Sequence, residues 1–313
     1  MSKESKKIIS TAGQDRLGID AFFGPLPGRE DSVNAVLSHE LQQSRRVLRE
    51  WQVQVGEPAW LNFTMYCVYP TGQSSFPILL SPDGCWPHVL SAEAIDAVIQ
   101  EGVALAWFNR TELAFDNPDC QRRGPVHSRW PEGSWSALSV WAWGLMICAD
   151  VLSRSANEVR GKLGAVGHSR GGKAALLAAL LDARFDAVVA NNSGTGGAAS
   201  LRVHDRGCET LFDLVTRFPH WCGPDATDVE LQQRLIAEDA PINWLTQLAP
   251  RGLCVLQAKD DFWANPTGAK HLVESLQTAW SEHPHRLRWV ERLGGHAMTR
   301  ADWREAARFM REL

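Results

Sequence analysis

Several things are scarce in this sequence, and each scarcity removes a class of protein. No uninterrupted apolar stretch approaches the roughly 20 residues that a helix needs to cross a bilayer, so no membrane-spanning segment is expected. The first residues carry Lys3, Lys6 and Lys7 without an apolar core behind them, so no secretion signal is expected and the reading is a cytoplasmic protein. A leader removed earlier stays open. The net charge is −4 and the basic residues are scattered, so neither nucleic acid nor an anionic membrane is implied as a partner. Seven cysteines, Cys67, Cys85, Cys120, Cys148, Cys208, Cys222 and Cys254, are odd in number and widely spaced. They form no C-x-x-C pair and suit free thiols in a reducing cytosol. His283-Pro284-His285 is too short a constellation for a metal site, and no metal or cofactor is expected. Neither an internal repeat nor a low-complexity tract is present.

What is present is the composition of a globular protein with a sizeable core, 44% hydrophobic and 22% charged. A length of 313 residues fits one large α/β domain or two small ones. Fourteen tryptophans stand against two tyrosines. Carbohydrate sites often offer flat indole faces, so the excess leans toward a sugar ligand.

Residues 1 to about 30, with Gly24-Pro25-Leu26-Pro27-Gly28 as their clearest irregular stretch, read as a surface wrap. Val33, Val36, Leu37, Leu41, Val47 and Leu48 fall near a helical period and predict a helix from Ser32 to Trp51. Apolar runs predict strands over Trp60 to Pro70, Phe76 to Leu80, Gly102 to Phe108, Leu163 to Val166, Phe185 to Ala190, Gly252 to Ala258 and Leu287 to Leu293. Helices are expected over Ser136 to Val151, Ala174 to Leu181, Gly268 to Trp280 and Asp302 to Leu313. The polar segment from Asn109 to Trp135 reads as a long loop over the site. Near-continuous apolar strands alternating with helices imply a mostly parallel sheet covered on both faces. Residues 198 to 250 contain no apolar strand run and read as a small cap-like insert within a single domain over 1–313.

The chain is organised around Gly167-His168-Ser169-Arg170-Gly171. An apolar strand precedes it and an Ala/Leu-rich helix follows, which is the setting of a nucleophile elbow in an α/β-hydrolase fold. Gly167 and Gly171 lack the Cβ atoms that would collide there, and Ser169 would stand exposed in a strained conformation. A flexible Gly-rich turn is the plain alternative. In this fold the acid and then the histidine follow the serine, each at a strand's C-terminal end. His296, after Gly294-Gly295 and the last strand, is the candidate base. Asp261 is the preferred acid and Asp260 the alternative; neighbours on an extended segment point opposite ways, so only one should face His296. The backbone N–H of Arg170 is a candidate oxyanion donor. Ser81-Pro82-Asp83-Gly84, after an earlier strand, could hold a second donor or be only a turn.

Gly167-His168-Ser169-Arg170-Gly171-Gly172-Lys173 also resembles the signature of the glucuronoyl esterases, carbohydrate esterase family 15. Ser193-Gly194-Thr195-Gly196-Gly197-Ala198-Ala199, Arg217-Phe218-Pro219-His220-Trp221, Leu248-Ala249-Pro250-Arg251, Gly295-His296-Ala297-Met298-Thr299, Asp302-Trp303 and the Trp141-Ala142-Trp143-Gly144 helix carry the likeness, while the first hundred residues add little. The resemblance implies a serine esterase of uronate esters. It gives the Arg170 guanidinium a share in oxyanion stabilisation, gives Lys173 the sugar hydroxyls, and sets Trp263 against the sugar. Glu209 is a further candidate for a hydroxyl contact, with a solvated surface carboxylate as the simpler reading. Many members place a glutamate directly before the Ser-Gly-x-Gly-Gly turn; here Asn192 stands there, a binding candidate that cannot ionise, so the acid must come from Asp261 or Asp260. Without a secretion signal, an esterase or lactonase of other small acyl substrates, or a non-catalytic binding protein on this scaffold, are the competing readings.

Overall fold

The computed structural model describes residues 18–28, 32–72, 75–154 and 161–313. In chain order these form α1 (Ile19–Phe23), β1 (Val33–Gln42), β2 (Arg46–Val55), β3 (Leu61–Pro70), β4 (Ile78–Ser81), α2 (Ala92–Gln100) and β5 (Ala104–Phe108). Then come α3 (Pro125–Arg129), α4 (Ala137–Arg154), β6 (Leu163–His168), α5 (Arg170–Leu181) and β7 (Ala187–Asn191). The rest comprises α6 (Leu211–Arg217), α7 (Val229–Ala237), α8 (Ala240–Thr246), β8 (Gly252–Ala258), α9 (Pro266–Leu276), β9 (Leu287–Arg292) and α10 (Arg300–Glu312).

All nine strands share one sheet in the order β1-β2-β3-β5-β4-β6-β7-β8-β9. Pairing is antiparallel from β1 to β5 and parallel from β5 to β9. Side chains that alternate along the parallel strands divide between two cores. Ile78, Leu80, Leu253 and Val255 join α4, α5 and α9 on one face. Leu79, Val166, Cys254 and Leu256 meet α2 and α10 on the other. Because β6, β8 and β9 run the same way, their C-terminal ends open on one edge, where the candidate residues gather. By length and composition α4 could cross a bilayer, but 83% of it is buried within the fold. Residues 198 to 250 hold α6, α7 and α8 between β7 and β8, with no strand.

Two expectations fail in the first third. Ser32 to Trp51 is no helix: β1 and β2 form an antiparallel hairpin turning after Gln42. Val47, Trp51, Val53 and Val55 in β2 follow a strand's period of two, but a bulge between Leu37 and His39 shifts the phase in β1. Val36 and Leu37, adjacent on opposite faces of β1 and both exposed, stand three and four residues after Val33 and so imitate a helical spacing. Nor does the N-terminal segment simply wrap the surface. Residues 1–17 and 29–31 lie outside the described residues, but Phe22 and Phe23 are buried in the core, Phe23 against Trp244 at 5.7 Å between ring centroids. The 109–135 segment is not a plain loop either: it contains helical turns at Arg110–Glu112 and Pro118–Cys120, the helix α3, and a fully buried Arg110.

Candidate active site

The strand-to-helix turn holds Ser169 at φ 54°, ψ −121°, a conformation that non-glycine residues adopt at a cost of about 1–3 kcal/mol. The surrounding structure fixes it. Ser169 N donates to Asn191 O at 2.8 Å, and His168 N donates to the Asp83 carboxylate at 2.7 Å. A Cβ on Gly167 would strike the Gly171 backbone, and one on Gly171 would strike Asp83 itself. In the loop after β4, the fully buried Asp83 braces the turn. Nothing in the sequence around Asp83 separates such a brace from an ordinary Pro-Asp-Gly turn.

Ser169 and His296 border one cleft of about 220 Å³ with Arg170, Lys173, Asn192, Glu209, Trp221 and Trp263. His296 Nδ1 donates to Asp261 Oδ2 at 2.6 Å, with the Asp261 side chain buried and the imidazole 42% exposed. Asp260 faces away: it is exposed, and its carboxylate accepts from Gly294 N at 2.8 Å. The loop carrying His296 is tied at both ends. Arg292 donates to the carbonyls of Leu293 and Ala297 and pairs with Asp302, which with Thr299 caps α10. Asn192 closes the far side, donating to Ala297 O at 2.9 Å and accepting from Ala258 N at 2.7 Å. Its amide borders the cleft but is engaged within the protein. Below His296 lies His168, whose Nδ1 donates to Asn191 Oδ1 at 2.6 Å. Burial, together with the neighbouring His296 ring, pushes His168 down to about 3.

Lys173 and Glu209 are neither solvated nor apart. Both are buried, and Lys173 Nζ meets Glu209 Oε2 at 2.9 Å, Ser193 O at 2.7 Å and Thr195 O at 2.5 Å. The Ser193–Ala199 turn supplies those carbonyls because Gly194 and Gly196 take positive φ. Trp263 is partly exposed, with the Arg217 guanidinium 5.1 Å from its ring centroid. Most other tryptophans serve the core: Trp141, Trp280 and Trp303 are fully buried, and Trp60, Trp130, Trp135 and Trp143 pack together. Tryptophan abundance thus overstates the aromatic surface at the cleft, where Trp221 and Trp263 stand.

Sequence reasoning missed a charge cluster behind Arg170. Its Nη1 donates to both Asp116 oxygens at 3.1 Å. Asp116 also accepts from His220 Nε2 at 3.2 Å, Trp221 Nε1 at 3.1 Å and Arg110 Nη2 at 3.3 Å, while Arg110 Nη1 pairs with Asp83. Burial opposes ionisation of Asp116, but the His220 hydrogen bond and the two guanidinium groups hold it well below the usual carboxylate range. His220 and Trp221 stood in a motif already noted; Arg110 and Asp116 lie in a polar stretch whose burial no periodicity announces.

With this geometry established, comparison with known proteins is informative. Residues 57–282 match the family model described as "Glucuronyl esterase, fungi". Carbohydrate esterase MZ0003, from an unknown prokaryotic organism, is 33% identical over 138 residues, 44% of this chain and 31% of its own length. The 4-O-methyl-glucuronoyl methylesterase 1 of Phanerochaete chrysosporium is 26% identical over 217 residues, 66% of this chain. The chain covers 46% of that relative's length, so it spans under half of either protein. The solved glucuronoyl esterase of Solibacter usitatus superposes with a TM-score of 0.79 at 22% identity, covering 95% of this chain and 90% of that one, which establishes the shared α/β-hydrolase architecture. A family match running through the serine turn, the Ser193–Ala199 turn and the Asp261 strand end, over well more than half of the chain, makes this protein a member of the glucuronyl esterase family.

Proposed function

We propose that the protein is a serine carboxylic-ester hydrolase acting through an acyl-enzyme, with an ester of a uronic acid as substrate. The observation that carries this reading is the 2.6 Å bond from His296 Nδ1 to Asp261 Oδ2, made at a cleft that also contains Ser169. With Nδ1 committed to the carboxylate, Nε2 is left to take the Ser169 proton as Oγ attacks the ester carbonyl. Asp261 holds the tautomer and stabilises the imidazolium, which then protonates the departing alcohol. Water enters by the reverse sequence and frees the acid. The Arg170 N–H, at the N-terminal end of α5, and its guanidinium are the oxyanion donors in this scheme.

The uronate assignment is supported by the wall of Lys173, Glu209 and Trp263 and by the name of the Phanerochaete chrysosporium relative, a 4-O-methyl-glucuronoyl methylesterase. A second reading, esters or lactones of other small acids, is favoured by one detail: all three Lys173 protons already meet protein oxygens. We further propose one hydrolase domain with 198–250 as its cap-like insert, working in the reducing cytosol, where the seven free thiols fit. Hydrolysis of methyl glucuronate, compared with acetyl and butyryl esters, tests the substrate. Turnover that survives in Ser169→Ala overturns the mechanism, and a fluorophosphonate that fails to label the folded protein supports a binding role instead.

A further inference from the structure

We propose that Asp116 is a positioning residue for this reaction: it fixes the Arg170 guanidinium at the cleft and, through Arg110, ties that guanidinium to the turn that carries Ser169. The proposal rests on the esterase reading above and extends it to a residue that does not border the cleft.

Four side chains from three parts of the chain converge on this one carboxylate: Arg110, Arg170 and the neighbours His220 and Trp221. Trp221 contributes twice. Its indole N–H donates to Asp116, and its ring lies 4.6 Å from the Arg170 guanidinium, with Trp86 at 5.2 Å. The guanidinium thus sits in a slot with two aromatic walls and an anionic end, held through Nη1 alone. An unheld arginine side chain loses rotamer freedom on being fixed. Here that ordering is complete before substrate arrives, as electrostatic stabilisation of a transition state requires.

The brace continues inward. Arg110, fully buried and 4.3 Å from the Trp86 ring, pairs with Asp83, and Asp83 holds His168 N. Asp83, Arg110, Asp116 and Arg170 therefore form a row of alternating acidic and basic side chains. One end grips the backbone beside the nucleophile and the other grips the side chain after it. Removing the Asp116 charge would leave two arginines facing each other and release the outer one toward solvent, since its side chain is 28% exposed.

The test is Asp116→Asn, close to isosteric, studied in the full chain alone and in an Arg170→Ala background with a chromogenic ester. Expected is a fall in kcat of roughly 10- to 100-fold, part of the 10²–10³ that loss of an oxyanion donor costs, with KM changed less than about threefold. In the Arg170→Ala background the same substitution should cost less than about twofold. A folded Asp116→Asn protein with kcat within about twofold of the parent overturns the proposal, as does a cost that is undiminished without Arg170. A crystal structure of Asp116→Asn decides independently of turnover: the guanidinium should leave Trp221, and one that stays in place overturns the proposal even if no ester is hydrolysed, an outcome that would sink only the esterase reading. If Asp116→Asn does not fold, Trp221→Phe keeps a ring under the guanidinium but removes one donor. A smaller fall in kcat that vanishes with Arg170→Ala is then expected, and an unchanged kcat overturns the proposal.

Discussion

The rings of His168 and His296 lie 4.6 Å apart, centroid to centroid, yet the protein treats the two imidazoles in opposite ways. His168 is buried and hydrogen-bonded to Asn191, while the side chain of His296 is 42% exposed and bonded to Asp261. Burial and the nearby ring keep His168 near 3, so the inner imidazole stays neutral and offers the outer one a surface without charge.

That neutrality carries a stability cost in acid. The folded pKa of His168 is depressed, so the unfolded chain binds its proton first as pH falls. The contribution is complete above about 6.5 and is lost as the solution approaches 3. From pH 7 to 4.5 the wild type should lose about 2–3 kcal/mol through this residue. Urea unfolding at both pH values, compared with His168→Asn, checks it: the variant should show a shallower decline, and parallel curves would refute the assignment.

Asp261 and Asp260 should separate cleanly. Asp261→Asn leaves the fold intact and lowers kcat by about 10⁴, the scale of losing a triad carboxylate. Asp260→Asn removes an exposed charge and leaves an amide oxygen to accept from Gly294 N, so kcat should stay within about tenfold. Steady-state kinetics of the two variants side by side decides, and a reversal of their order would reassign the acid.

Much of this was legible because each feature had a local cause. The Ser169 turn announced itself through glycines that steric contact demands, whereas alternation said only that one of Asp260 and Asp261 should face His296, not which. Strands β4 to β8 were readable because burial on both faces leaves near-continuous apolar runs, and β3 because it alternates as a partly exposed strand does. The failures share another cause. The buried Lys173–Glu209 pair and the contacts of Asp116 with Arg170 and Trp221 join groups distant in the chain. A charged side chain looks the same in sequence whether it is solvated or paired inside.

Lys173→Met should be strongly destabilising, because it leaves Glu209 buried without its partner at 2.9 Å. A loss of about 3–5 kcal/mol is expected, and Lys173→Met/Glu209→Gln should recover part of it. Denaturant midpoints of the single and double variants measure this, and simple additivity of the two single losses would count against a coupled pair.

Asn192 is the stitch between the Asp261 strand and the His296 loop. Asn192→Asp keeps the oxygen facing Ala258 N but turns a donor to Ala297 O into an acceptor. A loss of about 1–3 kcal/mol is expected, together with faster amide exchange in residues 296–298. Unchanged exchange there would show that Arg292 alone secures the loop.

The sheet changes from parallel to antiparallel pairing at β5 and β3, and every group proposed for the chemistry comes from the parallel side or the segments joining it. The β1–β2 hairpin is accordingly remote from the reaction, joined to it through the β2–β3 ladder and packing. Drift in that flank erodes stability by degrees and leaves chemistry untouched, so selection can relax there first.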